Sequence, residues 1–292
     1  MTLSDTTVTW RGLTFVGSRG DGSRPWIDAL GGWEDLPDAR QESDPRPQQH
    51  GRFDAEVFSD ERVVTLTGAC FSPIDRDARL AELGAVMGFR TGPPEPLTID
   101  HAGRVLTGFA RLRRYKPTIG NGWAVGHFPF AVEWVCSDPL RYGAPVTAST
   151  GFPVAGGGLA FPLYTNRSVR TGGLWFGARS TAGRVVLTNS GDADVWVSYT
   201  LDGPLAPEGC EVAVVGTGLL HRFQGAIPSG STVLVDGPTG TVLMDGYSDR
   251  SGQMTRMDPL VVPAHGSLEL ALIPLGSTSA AVLTASFMPG WW

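Results

Sequence analysis

From Arg184 to the chain end, short apolar or alternating runs recur with a turn signal about every 8 to 12 residues. The signals are Asn189-Ser190-Gly191-Asp192, Asp236-Gly237-Pro238, Asp245-Gly246 and His265-Gly266. Helices of ordinary length do not fit between such breaks, because Gly, Asn and Asp supply the turn conformations that end regular elements. The predicted strands are therefore Arg184 to Thr188, Val195 to Thr200, Glu211 to Val215, Leu219 to Phe223, Thr232 to Val235, Thr241 to Met244, Leu260 to Val262, Ser267 to Ile273 and Ala280 to Phe287. They read as an all-β sandwich. The 39 glycines and 22 prolines in 292 residues follow no fixed period, so the turn-rich habit extends over the whole chain and the fold class is mostly β.

The range 1–143 reads as a separate α+β domain with one helix on a sheet. Ser72 caps that helix, Pro73 takes its first position, and Leu80, Leu83 and Met87 mark one face until Gly88 ends it. Asp75 and Arg79 form a solvent-facing pair one turn apart. Arg62 to Thr67 precedes the helix as a strand. Pro96 to Ile99 and Val105 to Leu112 follow it as a hairpin turning through Asp100 to Gly103. In Phe128 to Cys136, Phe128, Phe130, Val132, Trp134 and Cys136 share one face, which predicts a half-buried strand with an aromatic inner side. Pro37 to Gly51 reads as a long exposed loop or arm. The second domain is 144–292, and its first part, 144–183, is a loose linker or entry region rich in Gly, Pro, Ser and Thr.

Composition removes several function classes. A net charge of -6 disfavours non-specific nucleic-acid binding, which needs a basic surface to release phosphate counterions. Cys70, Cys136 and Cys210 are odd in number and widely spaced, so they predict buried thiols rather than a disulfide scaffold or a zinc site. No stretch is apolar for long enough to span a membrane, and the first residues lack a signal-peptide pattern. Only Lys116 among the 23 basic residues is lysine, a skew that suggests a high-GC genome.

Catalytic motifs are absent: there is no nucleophile elbow, no zinc-protease helix signature and no phosphate-cradling loop. His50, His101, His127, His221 and His265 lie far apart and read as turn or surface residues. Asp192 and Asp194 are expected to bond their own turn rather than calcium. Arg19-Gly20-Asp21 matches an adhesion tripeptide, and Asn166-Arg167-Ser168 matches a glycosylation sequon, but nothing else supports either setting. No cofactor, metal or catalytic residue is expected.

Two surface features remain. The basic run Arg111, Arg113, Arg114 and Lys116 lies in a strand, with Arg111 and Arg113 on one face and Arg114 on the other. It reads either as a charged edge strand that resists uncontrolled pairing or as a subunit interface in which a neighbour supplies the acidic partners. Trp175, Trp196 and Tyr199 are the aromatic candidates for stacking on a sugar ring, which would make the chain a carbohydrate-binding adhesin.

The Gly51-Arg52 turn, the alternating strand Arg62 to Gly68, a short helix, a hairpin and a strand ending in Cys136-Ser137-Asp138-Pro139 resemble the N-terminal domain of siphophage distal tail proteins. Leu187 to Asp192, Asp202-Gly203-Pro204, Gly230 to Asp236 and the ending Met288-Pro289-Gly290-Trp291-Trp292 resemble the galectin-like C-terminal sandwich of the same family. The resemblance implies a ring-forming belt domain in a homo-hexamer that continues the tail tube, with the sandwiches outside as docking platforms. It implies as partners the major tail (tube) protein, the tape measure protein and the hub or fibre proteins of the tail tip. Phage DNA would be only passing cargo, and no membrane is entered. The place implied is the virion tail tip, assembled in the host cytoplasm, and with the arginine skew the source implied is an actinobacteriophage. The charge-free ending on Trp291 and Trp292 predicts a docked terminus, since free ends carry polar residues. Within the sandwich reading, those tryptophans close its last strand.

Overall fold

The computed structural model describes residues 3–18, 24–41, 43–154, 182–277 and 280–292. It divides into two compact units: Met1–Ala144 together with Trp291–Trp292, and Pro145–Gly290.

Unit 1 contains the strands β1 (Thr6–Trp10), β2 (Leu13–Val16), β3 (Trp26–Gly31), β4 (Ala39–Arg40), β5 (Phe58–Ser59), β6 (Arg62–Phe71), β7 (Glu95–His101), β8 (Arg104–Pro117), β9 (His127–Cys136) and β10 (Arg141–Tyr142). Its main sheet runs β10-β8-β7-β1-β2-β3-β6-β9, and an additional β8–β9 pairing closes the order from β8 round to β9 into a ring of strands. Closure removes edges that would otherwise attract other chains. The inward residues are large: Trp10, Phe15, Phe128 and Trp134 are fully buried, and the Trp10 and Trp134 rings lie 5.9 Å apart. The alternation of β9 is as its sequence predicts, with Phe128, Phe130, Val132, Trp134 and Cys136 all buried.

Short-range signals fix the turns. Ala102 and Gly103 both adopt positive φ, 51° and 84°, and the Gly103 amide donates to Asp100 Oδ1 at 3.0 Å, so the β7–β8 hairpin closes through two left-handed residues. Gly68 in β6 answers to close packing instead, since a Cβ there would lie 2.1 Å from the Trp26 carbonyl oxygen.

The helix α1 (Arg76–Val86) is shorter than the sequence suggests. Ser72 does not cap it, because its amide donates to the Gly126 carbonyl at 2.8 Å and ties the segment to the loop before β9; Asp75 takes the cap position without a side-chain bond. Arg79 pairs with Glu82 at 2.6 Å, one turn in the opposite direction from the expected partner Asp75. The apolar face is as read: Leu83 and Met87 are buried and Leu80 packs on the core.

Unit 2 contains β11 (Val146–Gly151), β12 (Arg184–Thr188), β13 (Val195–Trp196), β14 (Ser198–Asp202), β15 (Cys210–Val214), β16 (Leu220–Phe223), β17 (Thr232–Val235), β18 (Val242–Met244), β19 (Ser248–Asp249), β20 (Met254–Met257), β21 (Val261–Val262), β22 (Ser267–Pro274) and β23 (Val282–Phe287). One sheet runs β11-β23-β14-β17-β18-β19 and another β12-β22-β15-β16-β20. Alternate residues are buried in strands such as β12 (Val185, Leu187), β14 (Tyr199, Leu201) and β22 (Leu268, Leu270, Leu272), and Tyr199 of the first sheet bonds His221 of the second, so their inner faces meet. The expected strands all appear within a few residues of their predicted bounds. Three went unread: β19, β20, and β11, which lies inside the region taken as loose because Thr147, Ser149 and Gly151 dilute its apolar pattern.

The final strand, β24 (Gly290–Trp291), flanks β10. This corrects the expectation that the terminal tryptophans close the sandwich. Trp291 packs on the unit 1 core under the Arg104 guanidinium, 5.5 Å from its ring centroid, and Trp292 offers its carbonyl oxygen to Arg141 Nη2. The aromatic ending signalled docking correctly, but sequence alone could not say on what.

Candidate functional site

The basic run lies in the second half of β8, where Arg111 to Pro117 pair with β9. The edge-strand reading therefore holds on one side only: beyond Ala110 the β7 partners end, while the β9 side is fully laddered. The register slips between Leu112 and Arg114, so that Leu112 opposes Trp134 and Arg114 already opposes Glu133. Arg113 is the extra residue. A bulge of this kind breaks strict alternation and swings neighbouring side chains to one side.

The consequence corrects the predicted split of the arginines between two faces. Leu112 is buried and Tyr115 half-buried, whereas Arg111, Arg113, Arg114 and Lys116 are all exposed. The adjacent pair Arg113-Arg114, two charges in succession in an otherwise alternating strand, was the sequence trace of the bulge. Arg113 is partly neutralised by Glu133 at 3.2 Å and Glu61 at 3.7 Å. Arg111, Arg114 and Lys116 have no acidic partner among the described residues. Beside them a shallow groove of about 270 Å³ is lined by Thr65, Thr67, Arg114, Lys116, Ala131 and Glu133.

Two arginines missed by sequence reading hold the opposite kind of site. Arg62 is 1% exposed and donates through Nε to the Pro139 carbonyl at 2.7 Å, and through Nη1 to the carbonyls of Gly32, Trp33 and Asp35 at 3.0, 2.9 and 2.6 Å. Arg141, 4% exposed, donates to the Trp33 carbonyl at 2.9 Å and to Glu34 at 2.7 Å. Burial, and next the nearby Arg141 charge, lower the Arg62 pKa. The guanidinium fork satisfies several loop carbonyls at once, which a lysine's point charge does not. These are anchors of the loops 32–35 and 137–141, and nothing in their flanking sequence separates them from surface arginines.

Of the two sugar candidates among the described residues, only one is exposed. Tyr199 is 1% exposed and its hydroxyl bonds His221 inside unit 2, so it presents no stacking face. Trp196 is 48% exposed on β13, and Trp175 lies outside the described residues, as do Arg19-Gly20-Asp21 and Asn166-Arg167-Ser168.

His221 departs from its surface reading. It is buried, with Nε2 2.6 Å from the Asp258 carbonyl and Nδ1 2.9 Å from Tyr199 Oη. A carbonyl only accepts, so Nε2 carries the proton and the neutral Nδ1 accepts from the tyrosine. Burial lowers the His221 pKa and raises that of Tyr199. The three thiols are buried as expected, and burial pushes Cys70 and Cys136 up to about 11 and Cys210 to about 12, which leaves them protonated and unreactive at neutral pH. Asp194 accepts the Ala264 amide at 2.7 Å, a bond to a loop 70 residues away and not to its own turn as the sequence suggests. No cluster of three or more potential metal ligands occurs among the described residues. None of their helices is long and apolar enough to cross a membrane.

No family model and no curated protein matches the chain. Solved structures do. The Dit protein of phage SPP1, presented as a paradigm of the hub adsorption apparatus in phages infecting Gram-positive bacteria, superimposes with a TM-score of 0.65 at 11% identity, over 97% of this chain and 98% of that one. A chain of the phage P2 baseplate in its activated conformation with Ca gives 0.51 at 9% identity, over 96% and 97%. The same baseplate with Sr gives 0.51 at 9% identity, over 97% of each chain. The fold is thus that of phage hub and baseplate proteins. At such identities the likeness speaks for the path of the chain and not for any side chain.

Proposed function

We propose that the protein is a non-enzymatic structural component of a siphovirus tail tip. In this reading unit 1 is a belt domain that assembles as a six-fold ring extending the tail tube, and unit 2 is a galectin-like platform for other tail-tip and host-recognition proteins. The observation that carries the proposal is the full-length likeness to SPP1 Dit, which covers 97% of this chain and 98% of that one. DNA is cargo in the lumen, where a net charge of -6 favours passage over adhesion. The major tail protein, the tape measure protein and hub or fibre proteins are the proposed neighbours, and an actinobacteriophage is the proposed source.

The exposed cations Arg111, Arg113, Arg114 and Lys116 are the proposed subunit contact. Mass measurement of the purified full chain, alone and with tube protein, tests this. A hexamer in either condition is expected; a stable monomer that ignores tube protein counts against the ring. The double substitution Arg111→Glu with Arg113→Glu is expected to lower the assembled mass, and an unchanged mass removes these residues from the interface. The adhesin alternative is left with Trp196 as its single exposed candidate among the described residues, and one isolated ring makes a poor stacking platform.

A further inference from the structure

The segment from Leu36 to Glu61 forms an arm on unit 1. Its two limbs pair through β4 and β5, with Ala39 opposite Ser59 and Arg40 opposite Phe58, and again through a bridge from Pro45 to Arg52. A two-stranded ladder is marginal when nothing covers it, and both of its edges offer unpaired backbone groups. This one also leaves its apolar side chains in water: Leu36 is 75%, Val57 60%, Phe58 55% and Phe53 54% exposed. Scattered exposed apolar residues are ordinary, but four on one short arm mark a surface that is covered by something else.

The charge of the arm says what covers it. Between Leu36 and Glu61 the sequence carries seven acidic and three basic residues, and Asp38, Asp44, Asp54, Glu56 and Asp60 are all exposed. The same unit carries the complement: Arg111, Arg114 and Lys116 stand together on the outside of β8 without an acidic partner among the described residues, beside an open groove. Within one copy the two surfaces do not satisfy each other, apart from the root residue Glu61, which lies 3.7 Å from Arg113. Two complementary patches on one chain, each unmatched in its own copy, make a head-to-tail contact that closes into a ring when the rotation permits.

We infer that the arm of one copy docks on the β8–β9 face of the next, its acidic side chains pairing with Arg111, Arg114 and Lys116 and its phenylalanines covering the groove. The inference rests on the ring proposed above and supplies the acidic partner which that interface lacks.

Two measurements on the full chain test it. Reversing the face (Arg111→Glu, Arg114→Glu, Lys116→Glu) or the arm (Asp38→Arg, Asp54→Arg, Glu56→Arg) is expected to weaken assembly about 100-fold in either case, and combining the two sets is expected to restore it, because the pairing is inverted rather than lost. Independently, a photo-reactive phenylalanine analogue at position 58, in a ring mixed from isotopically light and heavy chains, is expected to crosslink to residues 111–117 of the other isotopic form. Crosslinks only within one isotopic form, or intact rings when either surface is reversed alone, overturn the docking while leaving the ring itself standing. A wild-type chain that stays monomeric with tube protein present overturns both.

Discussion

Units 1 and 2 are both β-rich, yet they fill and anchor their interiors differently. The ring of strands in unit 1 encloses aromatic side chains, with Phe15 5.6 Å from Phe130 and Trp10 against Trp134, and buries charged groups in Arg62 and Arg141. Unit 2 lays two open sheets face to face over branched aliphatics such as Val185, Leu187, Val212, Leu270 and Leu283, and its buried polar pair, Tyr199 and His221, is neutral. A closed barrel encloses a space that must be filled from all sides, so it calls for large rings, while facing sheets interdigitate well with Val and Leu. Charge follows the same division. The loops at 32–35 and 137–141 leave several carbonyls inward, which the Arg62 and Arg141 guanidinium groups satisfy, whereas in the sandwich the buried Asn189 amide bonds the Ala193 and Val262 carbonyls and Tyr199 bonds His221.

The difference is breakable at named residues. The largest effect is expected from Arg62→Ala, which leaves the carbonyls of Gly32, Trp33, Asp35 and Pro139 without their donor: a loss of about 3 to 5 kcal/mol from unit 1, read in denaturant unfolding, with the unit 2 transition unmoved. A single merged transition shifting as a whole would show that the units do not unfold separately. Removing Trp291 and Trp292 comes next, at about 2 to 3 kcal/mol. That loss should fall on unit 1, where Trp291 packs, and a loss confined to unit 2 would restore the tryptophans to the sandwich.

The smallest effect concerns pH. The folded pKa of His221 lies below its ordinary value of 6.5, so the unfolded chain takes up the proton first and unit 2 loses stability as pH falls from 6.5 towards the folded value. Above 6.5 the contribution is fully present. Thermal unfolding followed between pH ~7 and ~5 should show the unit 2 midpoint falling, and His221→Gln should flatten that slope. Arg62, whose pKa is lowered by burial from 12.5, keeps its charge throughout this range.

Local signals carried most of the architecture. The strict alternation of Phe128 to Cys136 specified β9, and Asp100 to Gly103 specified the β7–β8 hairpin, because both are set by residues adjacent in the chain. The arm was legible from Pro37 to Gly51 as an exposed excursion, while its returning limb, β5, was not, since two paired residues leave no period to read. Of the candidate site, the four cations were found and their geometry was misread. A bulge is fixed by the partner strand, and β9 lies outside the window in which β8 is read. His221 and Arg62 were invisible for the opposite reason: their types are usually exposed, and only the partners that surround them explain their burial.

By itself the sequence determined that the chain is mostly β, that a short helix covers the first sheet, that the thiols are buried and that the ending on two tryptophans must dock. These properties follow from period, turn chemistry and transfer free energy, which act on neighbours along the chain. The tertiary structure alone decided that β8 meets β9 to close a ring, that the docked end belongs to unit 1 and that all four cations share one exposed face. Each depends on contacts between residues far apart in sequence, such as Arg141 with Trp292 or Arg113 with Glu61, and such pairings are chosen by the packing of the whole rather than by any local preference.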